Sequence, residues 1–575
     1  MNLYIDNRKI NSIKIYQTDA PSAQSAAAYL YQYAEFLGLK ICDDPDLNVH
    51  LILDPTIGDG FSIKLAQDEL VLRGGKRGII YSVFSFLEIV GCRFFTPTLE
   101  TLPKGDVFLS AFEKKEYSPV EFRDILCNCT RNRAWSLKQK INSDLWSSRK
   151  FTEADGGGYN YAGIPAHSLT GEYLLQPFVE SNPEYFSIVD GVRHIMHDGQ
   201  ICMTNEEAIK AAASEACRIL RENPDRNIIS VSQGDNNNFC QCDSCKRAVE
   251  EHGLVHVYFG MINKIARIIK KEFPHVLVHT LAYESLCKKI DFKLEDNIML
   301  QYCFGECNTH AIDDESCAVN ENTRAQLIDI CKKCNNVHVW NYVNCFKYEL
   351  FEYPFIHNFR RNMKFFADVG VKGVFNEAFH RSSEETDFAN TMELRSYILA
   401  KLMWNPCMTE EEFKNHIMEF CQAFYGKGAE YIVRYLDLYE KMSGECATYD
   451  RFVIPKSGDK TADVVALDKI SEFIALAKDF LNMALELAVG DQIHHIKKLQ
   501  TTILYLELYY TMDDILENGS DEEKQRILKM NSKLIDEIIR NKFVITFWGQ
   551  TRKTQNEELE TMRETSPAHW NYRWN

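Results

Sequence analysis

The sequence predicts an α/β protein in three parts: a small N-terminal α/β domain (1–115), a (β/α)8-type barrel (116–408) and an α-helical C-terminal domain (409–575). Three observations carry that prediction. Between Val120 and Pro406, short apolar runs alternate with amphipathic stretches, as expected of parallel strands joined by helices. Beyond Thr409 the apolar residues recur almost only at helical spacing. The chain of 575 residues also has room for three or four domains of roughly 150 residues each.

In the first part, Ser22–Leu37 carries helical periodicity and Val49–Leu53 reads as a strand ending at Asp54-Pro55. Leu70–Leu72 is a strand running into Gly74-Gly75, and Gly78–Val90 is a helix closed by Gly91 and followed by Cys92-Arg93-Phe94-Phe95. Gly74-Gly75-Lys76-Arg77-Gly78 lies at a strand-to-helix turn, where it would cradle a phosphate or let the helix approach the sheet closely. It matches neither the P-loop nor the dinucleotide pattern, so close packing is the better reading.

Barrel strands are predicted at Val120–Cys127, Ile201–Met203, Ile228–Val231, Val276–Leu281, Ile298–Tyr302, Val337–Trp340 and Gly373–Phe375. One more is weakly marked near Tyr161–His167, which predicts an irregular barrel. Helices are predicted at 206–222, 255–272, 321–333, 357–369 and 389–403, then at Phe413–Tyr425, Glu430–Met442, Ala466–Ala488 and Ile493–Glu517.

Composition excludes several function classes. Hydrophobic residues make up 45% of the chain and aromatics 12%, so a large core is available and general disorder is excluded. The formal net charge of −17 argues against nucleic acid or an anionic membrane as partner. No apolar run reaches the roughly 18 residues of a membrane span. Met1–Asp6 lacks the basic and apolar regions of a signal peptide, and the 19 cysteines are odd in number and scattered. These features predict a cytoplasmic protein with reduced thiols.

In a barrel of this kind the chemistry sits at the C-terminal ends of the strands. Three carboxylates fall there. Asp235 follows a strand and a glycine in Ser232-Gln233-Gly234-Asp235-Asn236, Glu377 ends Gly373-Val374-Phe375-Asn376-Glu377, and Glu284 follows Leu281-Ala282-Tyr283. Each is suited to acid, base or polarising work, although an Asx turn competes at Asp235 and a solvated loop at Glu377. Trp340-Asn341-Tyr342 offers rings and an amide, and Tyr283, Asn236, His167 and His310 complete the candidate substrate-binding set. Sugars present flat C–H faces and many hydroxyls, which suit such a mixture. Cys240-x-Cys242-x2-Cys245 would hold a structural metal, form a disulfide or remain as free thiols. Cys127, Cys129 or Cys303 would supply a fourth metal ligand, and Cys331-x2-Cys334, on a predicted helix, reads as core packing.

Several motifs together resemble a known family. Leu72–Tyr81, Phe86-Leu87-Glu88 and Gly91–Pro97 resemble the accessory domain that precedes the barrel in α-glucuronidases and β-hexosaminidases. Asn182–Phe186, Gly191–Arg193, Gln200–Asn205, Ser232–Asn236 with the cysteine motif, Leu402–Pro406 and Phe424-Tyr425-Gly426 resemble a bacterial domain of unknown function (number 4838). That domain underlies glycoside hydrolase family 163.

The resemblance implies a retaining endo-β-N-acetylglucosaminidase that acts on complex N-glycans. Asp235 and Glu377 carry over to the family's strand-end motifs. Glycoside cleavage needs a proton for the leaving oxygen and stabilisation of an oxocarbenium-like centre. Two carboxylates about 5–5.5 Å apart support double displacement, and an N-acetyl group on the sugar can attack instead. Glu377 is expected as acid/base and Asp235 as polariser or nucleophile, with the reverse assignment open. No cofactor is expected, and the partner is an oligosaccharide. Competing readings are an α-glucuronidase-like exo-glycosidase using Arg131, Arg133 or Lys138, a non-catalytic carbohydrate-binding barrel, and a zinc-dependent hydrolase built on the cysteines.

Overall fold

The computed structural model describes residues 2–145, 149–304, 307, 310–344, 350–353, 355–378, 387–443, 469–543 and 552–570. The N-terminal part is a six-stranded mixed sheet in the spatial order Phe112–Glu116, Phe61–Ala66, Glu69–Gly74, Leu47–Leu53, Ser12–Tyr16, Lys40–Ile41. The helices Pro21–Phe36 and Gly78–Val90 pack with it around a core that includes Leu51, Ile63, Leu72, Ile80 and Phe84.

The glycines of the Gly74–Gly78 turn are there for proximity. A Cβ on Gly75 would lie 1.6 Å from the Gly58 carbonyl oxygen, and one on Gly78 would lie 2.2 Å from that of Gly60. The turn packs backbone on backbone. Beside it, Arg77 and Arg123 each reach Asp59 at 2.6 Å, and Asn142 donates to the same carboxylate at 2.9 Å. Burial would raise the Asp59 pKa, but the two guanidiniums outweigh it and hold the group below the usual carboxylate range. Arg123 belongs to the first barrel strand, so this cluster joins the N-terminal sheet to the barrel.

Among the described residues the barrel has seven parallel strands: β1 (Phe122–Leu126), β2 (Tyr161–Ala162), β3 (Ile228–Ser230), β4 (Leu277–Ala282), β5 (Ile298–Phe304), β6 (Val337–Tyr342) and β7 (Gly373–Glu377). Their spatial order is β1-β7-β6-β5-β4-β3-β2, a curled sheet whose first and last strands are neighbours. The gap between β1 and β2 is spanned by irregular chain. Asn142 N–H donates to the Arg123 carbonyl at 3.2 Å, and Ser143 bridges Tyr159 in parallel.

The predicted strand at Ile201–Met203 is not part of this sheet. Ile201 forms only an isolated antiparallel bridge with Phe186, and Cys202 N–H donates to the Tyr185 carbonyl. The run is short and leads directly into the helix Glu206–Glu222, whose cap Asn205 accepts from Glu207 and Ala208 N–H. Its apolar residues anchor a loop, which three residues cannot distinguish from a strand. The other predicted barrel helices are found at Leu254–Glu272, Ala318–Lys333, Asn358–Asp368 and Met392–Trp404.

Alternation along the strands separates two cores. Phe122, Leu126, Tyr161, Ile228, Leu281, Met299, Trp340, Tyr342 and Phe375 fill the barrel interior. The outward residues join the helices in a larger core that continues into Glu410–Tyr425, Ala429–Ser443, Ile470–Glu486, Asp491–Asn518 and Asp521–Asn541. The predicted start of one helix at Ala466 lies outside the described residues. Among the described residues no helix is long and apolar enough to cross a membrane.

The same alternation places Ser230, His279, Gln301 and His338 inside the barrel, each at most 2% exposed. His279 Nε2 meets Gln301 Oε1 at 2.7 Å, and the His338 ring lies 4.9 Å from Phe122. Gly373 makes room for that ring, because a Cβ there would stand 2.4 Å from His338 Nδ1. Gly373→Ala is therefore expected to cost about 2 kcal/mol through overpacking. Urea denaturation should show an earlier midpoint with an unchanged slope, and an unshifted midpoint would contradict the packing.

Burial holds both histidines neutral, lowering His279 to about 4 and His338 to about 3 from an unfolded value of 6.5. The unfolded chain then binds more protons at mildly acidic pH. Their contribution is complete above pH 6.5 and falls as pH drops toward 4. Between pH 7.5 and 5, the melting temperature of the wild-type protein should fall more steeply than that of His338→Gln. Equal slopes would contradict the assignment.

Candidate active site

Two groups of side chains lie at the C-terminal rim of the barrel, one at the end of β7 and one after β3. On one side, the inward end of β7 presents Glu377, only 5% exposed. Trp340, inward on β6, donates its indole N–H to Glu377 Oε2 at 2.7 Å. The indole is itself held edge-on by Phe375, with centroids 4.6 Å apart, and Tyr342 stands 6.5 Å away at the end of the same strand. Strand register makes this grouping compulsory, since Trp340 pairs with Phe375 and Tyr342 with Glu377.

On the other side the chain leaves β3 through Ser232-Gln233-Gly234-Asp235. Asp235 is exposed, and its Oδ1 lies 4.0 Å from His167 Nε2. His167 Nδ1 meets the Gln233 carbonyl at 3.0 Å. A carbonyl only accepts, so Nδ1 is the donor of that bond and Nε2 is the nitrogen turned toward Asp235. The 4.0 Å between Nε2 and the carboxylate leaves a place for a bridging group such as a substrate hydroxyl. Tyr283 closes this side, with its ring 6.1 Å from His167. Glu284 is exposed and accepts from Asn237 Nδ2. His167 and Glu284 both hold left-handed backbone, at φ 54° and 49°, and non-glycine strain of this kind gathers at functional rims. Tyr283 and Cys303 pack against the interior cluster that contains Trp340 and Tyr342, so the two sides share one floor.

Other residues singled out from the sequence lie elsewhere. Asn341 alternates to the outer face of β6, where its amide donates to Asn376 at 2.9 Å. Asn236 shapes its own loop, accepting from Gln200 and from Asn238 N–H at 3.0 Å and donating to the His197 carbonyl. His310 is half-buried, with Nδ1 3.6 Å from Cys307 Sγ. Lys138 is paired with Glu100 of the N-terminal part, and Arg133 lies 3.6 Å from Asp155, so neither is presented as a uronate ligand. The cysteine motif is joined by Cys202; Cys127, by contrast, sits against Ser396 Oγ at 3.0 Å. Cys334 is buried and packs in the core, as its spacing predicts.

Two supports of the rim were not among the candidate site residues read from the sequence. Gln200 clamps the Asp235 loop: its side chain accepts from Gly234 N–H at 3.0 Å and donates to the Gly234 and Asn236 carbonyls at 3.1 and 2.9 Å. Under β6 and β7, Arg395 and Glu352 form a fully buried pair 3.8 Å apart. Arg395 donates to the Val343 carbonyl at 2.7 Å and to Asn390, while Glu352 accepts from Thr391 N–H and hydroxyl at 2.8 and 2.7 Å. Val343 N–H in turn donates to the Glu377 carbonyl. Glu352→Leu should cost about 3–5 kcal/mol by leaving a buried guanidinium without its counter-charge. Adding Arg395→Met should recover part of that loss in chemical denaturation, and simple additivity of the two changes would contradict the coupling.

Comparison with known proteins agrees with this architecture. A family model described as a domain of unknown function (DUF4838) matches residues 94–437. The chain belongs to that family. The match begins within the N-terminal part and takes in every barrel strand and both sides of the rim. No curated protein matches the chain.

Among solved structures, CpGH89 from Clostridium perfringens, in complex with its substrate GlcNAc-alpha-1,4-galactose, aligns with a TM-score of 0.53 at 12% identity. The alignment covers 90% of this chain and 65% of that one. The likeness is one of fold. A GH138 enzyme targeting pectin rhamnogalacturonan II aligns with a TM-score of 0.47 at 10% identity, over 92% of this chain and 73% of that one. A beta-N-acetylhexosaminidase from Bacteroides fragilis aligns with a TM-score of 0.40 at 13% identity, over 71% and 90%.

Proposed function

We propose that the protein is a glycoside hydrolase in which Glu377 is the acid/base and Asp235 the polariser or nucleophile. The observation that carries this reading is the buried Glu377 carboxylate, fixed by the Trp340 N–H at 2.7 Å on an aromatic floor that it shares with the His167–Asp235 side. A sugar ring lying on Tyr342 and Tyr283 would place its C–H face on the rings and its hydroxyls toward His167 and Asp235. Glu377, held from below, would then deliver a proton to the glycosidic oxygen and later take one from water.

Trp340 is a positioning residue for that carboxyl, since its N–H fixes one carboxylate oxygen on the barrel floor. The partner carboxylate either attacks the anomeric carbon or, with an N-acetylated sugar, orients the acetamide that does so. We take the substrate to be a β-N-acetylglucosaminide within complex N-glycan-type oligosaccharides. This follows from the resemblance of the strand-end motifs and is supported by the shared fold with a protein whose substrate contains GlcNAc. Lys138 and Arg133 are already paired, which disfavours a uronate.

The test is mass spectrometry of products after incubation with pooled complex N-glycans and uronic-acid-capped oligosaccharides. Release of an N-acetyllactosamine-type fragment is expected, with kcat reduced about 10²–10⁴-fold in Glu377→Gln and strongly in Asp235→Asn. Release of a free uronate, or full activity in Glu377→Gln, would overturn the assignment.

A further inference from the structure

We infer that Cys202, Cys240, Cys242 and Cys245 bind one zinc ion that fixes the loop presenting Asp235. The four sulfur atoms all lie within 4.8 Å of one another. Cys202 Sγ is 3.8 Å from Cys242 Sγ and 3.7 Å from Cys245 Sγ. A tetrahedral zinc with Zn–S bonds of about 2.3 Å requires sulfur–sulfur edges of about 3.8 Å. The cysteines are thus spread at the spacing of a closed four-sulfur shell, which is the ligand set and geometry of structural zinc.

The surroundings suit thiolates. Cys242 caps the helix Asp243–His252 and Cys245 lies in its first turn, at the positive end of the helix dipole. Thr204 Oγ1 is 3.2 Å from Cys245 Sγ. Cys202, Cys240 and Cys245 are buried, so four neutral thiols would spend this volume on weak contacts alone. The shell has four protein sulfurs and no open position for water or substrate, which makes the ion structural and not catalytic.

The site also has a position in the machinery. Cys202 follows two residues after Gln200, and Cys240 five residues after Asp235. Gln200 is the side chain that clamps Gly234 and Asn236. An ion joining Cys202 to the cysteine motif would tie both halves of that clamp together and hold the Asp235 loop in register against β3.

The measurement is elemental analysis of the natively purified, full-length protein, without chelators. The expected content is about one zinc per chain, released by a mercurial reagent as about four thiols react. Cys42→Ser, at an exposed cysteine, should retain the metal, while Cys240→Ser and Cys245→Ser should lose it. If those variants fold poorly, the wild-type protein still decides: stripping its zinc should raise the rate of proteolysis between Gln233 and Cys245, and adding zinc back should restore resistance. A protein that neither contains nor takes up zinc, or a disulfide found among these four cysteines by peptide mapping, would overturn the inference. Glycosidase activity plays no part in this readout, so it stands or falls separately from the proposed reaction.

Discussion

The structure depends on the pairing of β1 with β7. Leu126 and Tyr342 flank Glu377 on either side, so the carboxylate is set in position by strands from distant parts of the chain. A parallel ladder of this kind forms only after several crossovers have been laid down, and its register admits no slip. Moving β7 by one residue would turn Glu377 outward and bring Asn376 to the rim. The outward face is already committed, because Asn376 and Asn341 pair there. The catalytic candidate and the outer polar pair are therefore consequences of one register.

Around that pairing the two sides of the rim are built differently. The Glu377 side is buried, with the Trp340 indole against it and the Arg395–Glu352 pair holding the loop after β6. The Asp235 side is exposed and made of loop, and its order comes from local devices: Gln200, the His167–Gln233 hydrogen bond and the cysteine cluster. In the proposed reaction Glu377, set on a strand, would be the fixed group, and the loop-borne Asp235 side would be the one that adjusts to the substrate.

Beneath the rim, the barrel interior is unusually polar, and neutral histidines are the means. His279 and His338 satisfy neighbours such as Gln301 and Asn336 without burying charge. Buried ion pairs are also present: Asp59 between Arg77 and Arg123, Asp124 against Arg149, and Glu352 against Arg395. The Asp59 cluster also explains how the N-terminal sheet stays attached, since it links the turn at Arg77 to a guanidinium on β1.

The sequence by itself determined the element types and most of their limits, because local periodicity and capping carry them. The helices Gly78–Val90 and Glu206–Glu222 have the limits that the sequence predicts, the first marked by its closing glycine. It also marked Glu377, Asp235, Trp340 and the three clustered cysteines, since strand ends and short spacings are visible along a chain. Tertiary structure alone decided which of these meet. Nothing in the sequence singled out Cys202 as the fourth sulfur, Gln200 as the clamp or Glu352 as the partner of Arg395, because each contact joins segments that share no periodicity. Asn341 was misplaced for the same reason: a strand alternates between two faces, and only the curled sheet shows which face is inside. The isolated Ile201–Met203 run followed this rule too, for an apolar triplet becomes a strand only where a neighbouring strand is free to pair with it.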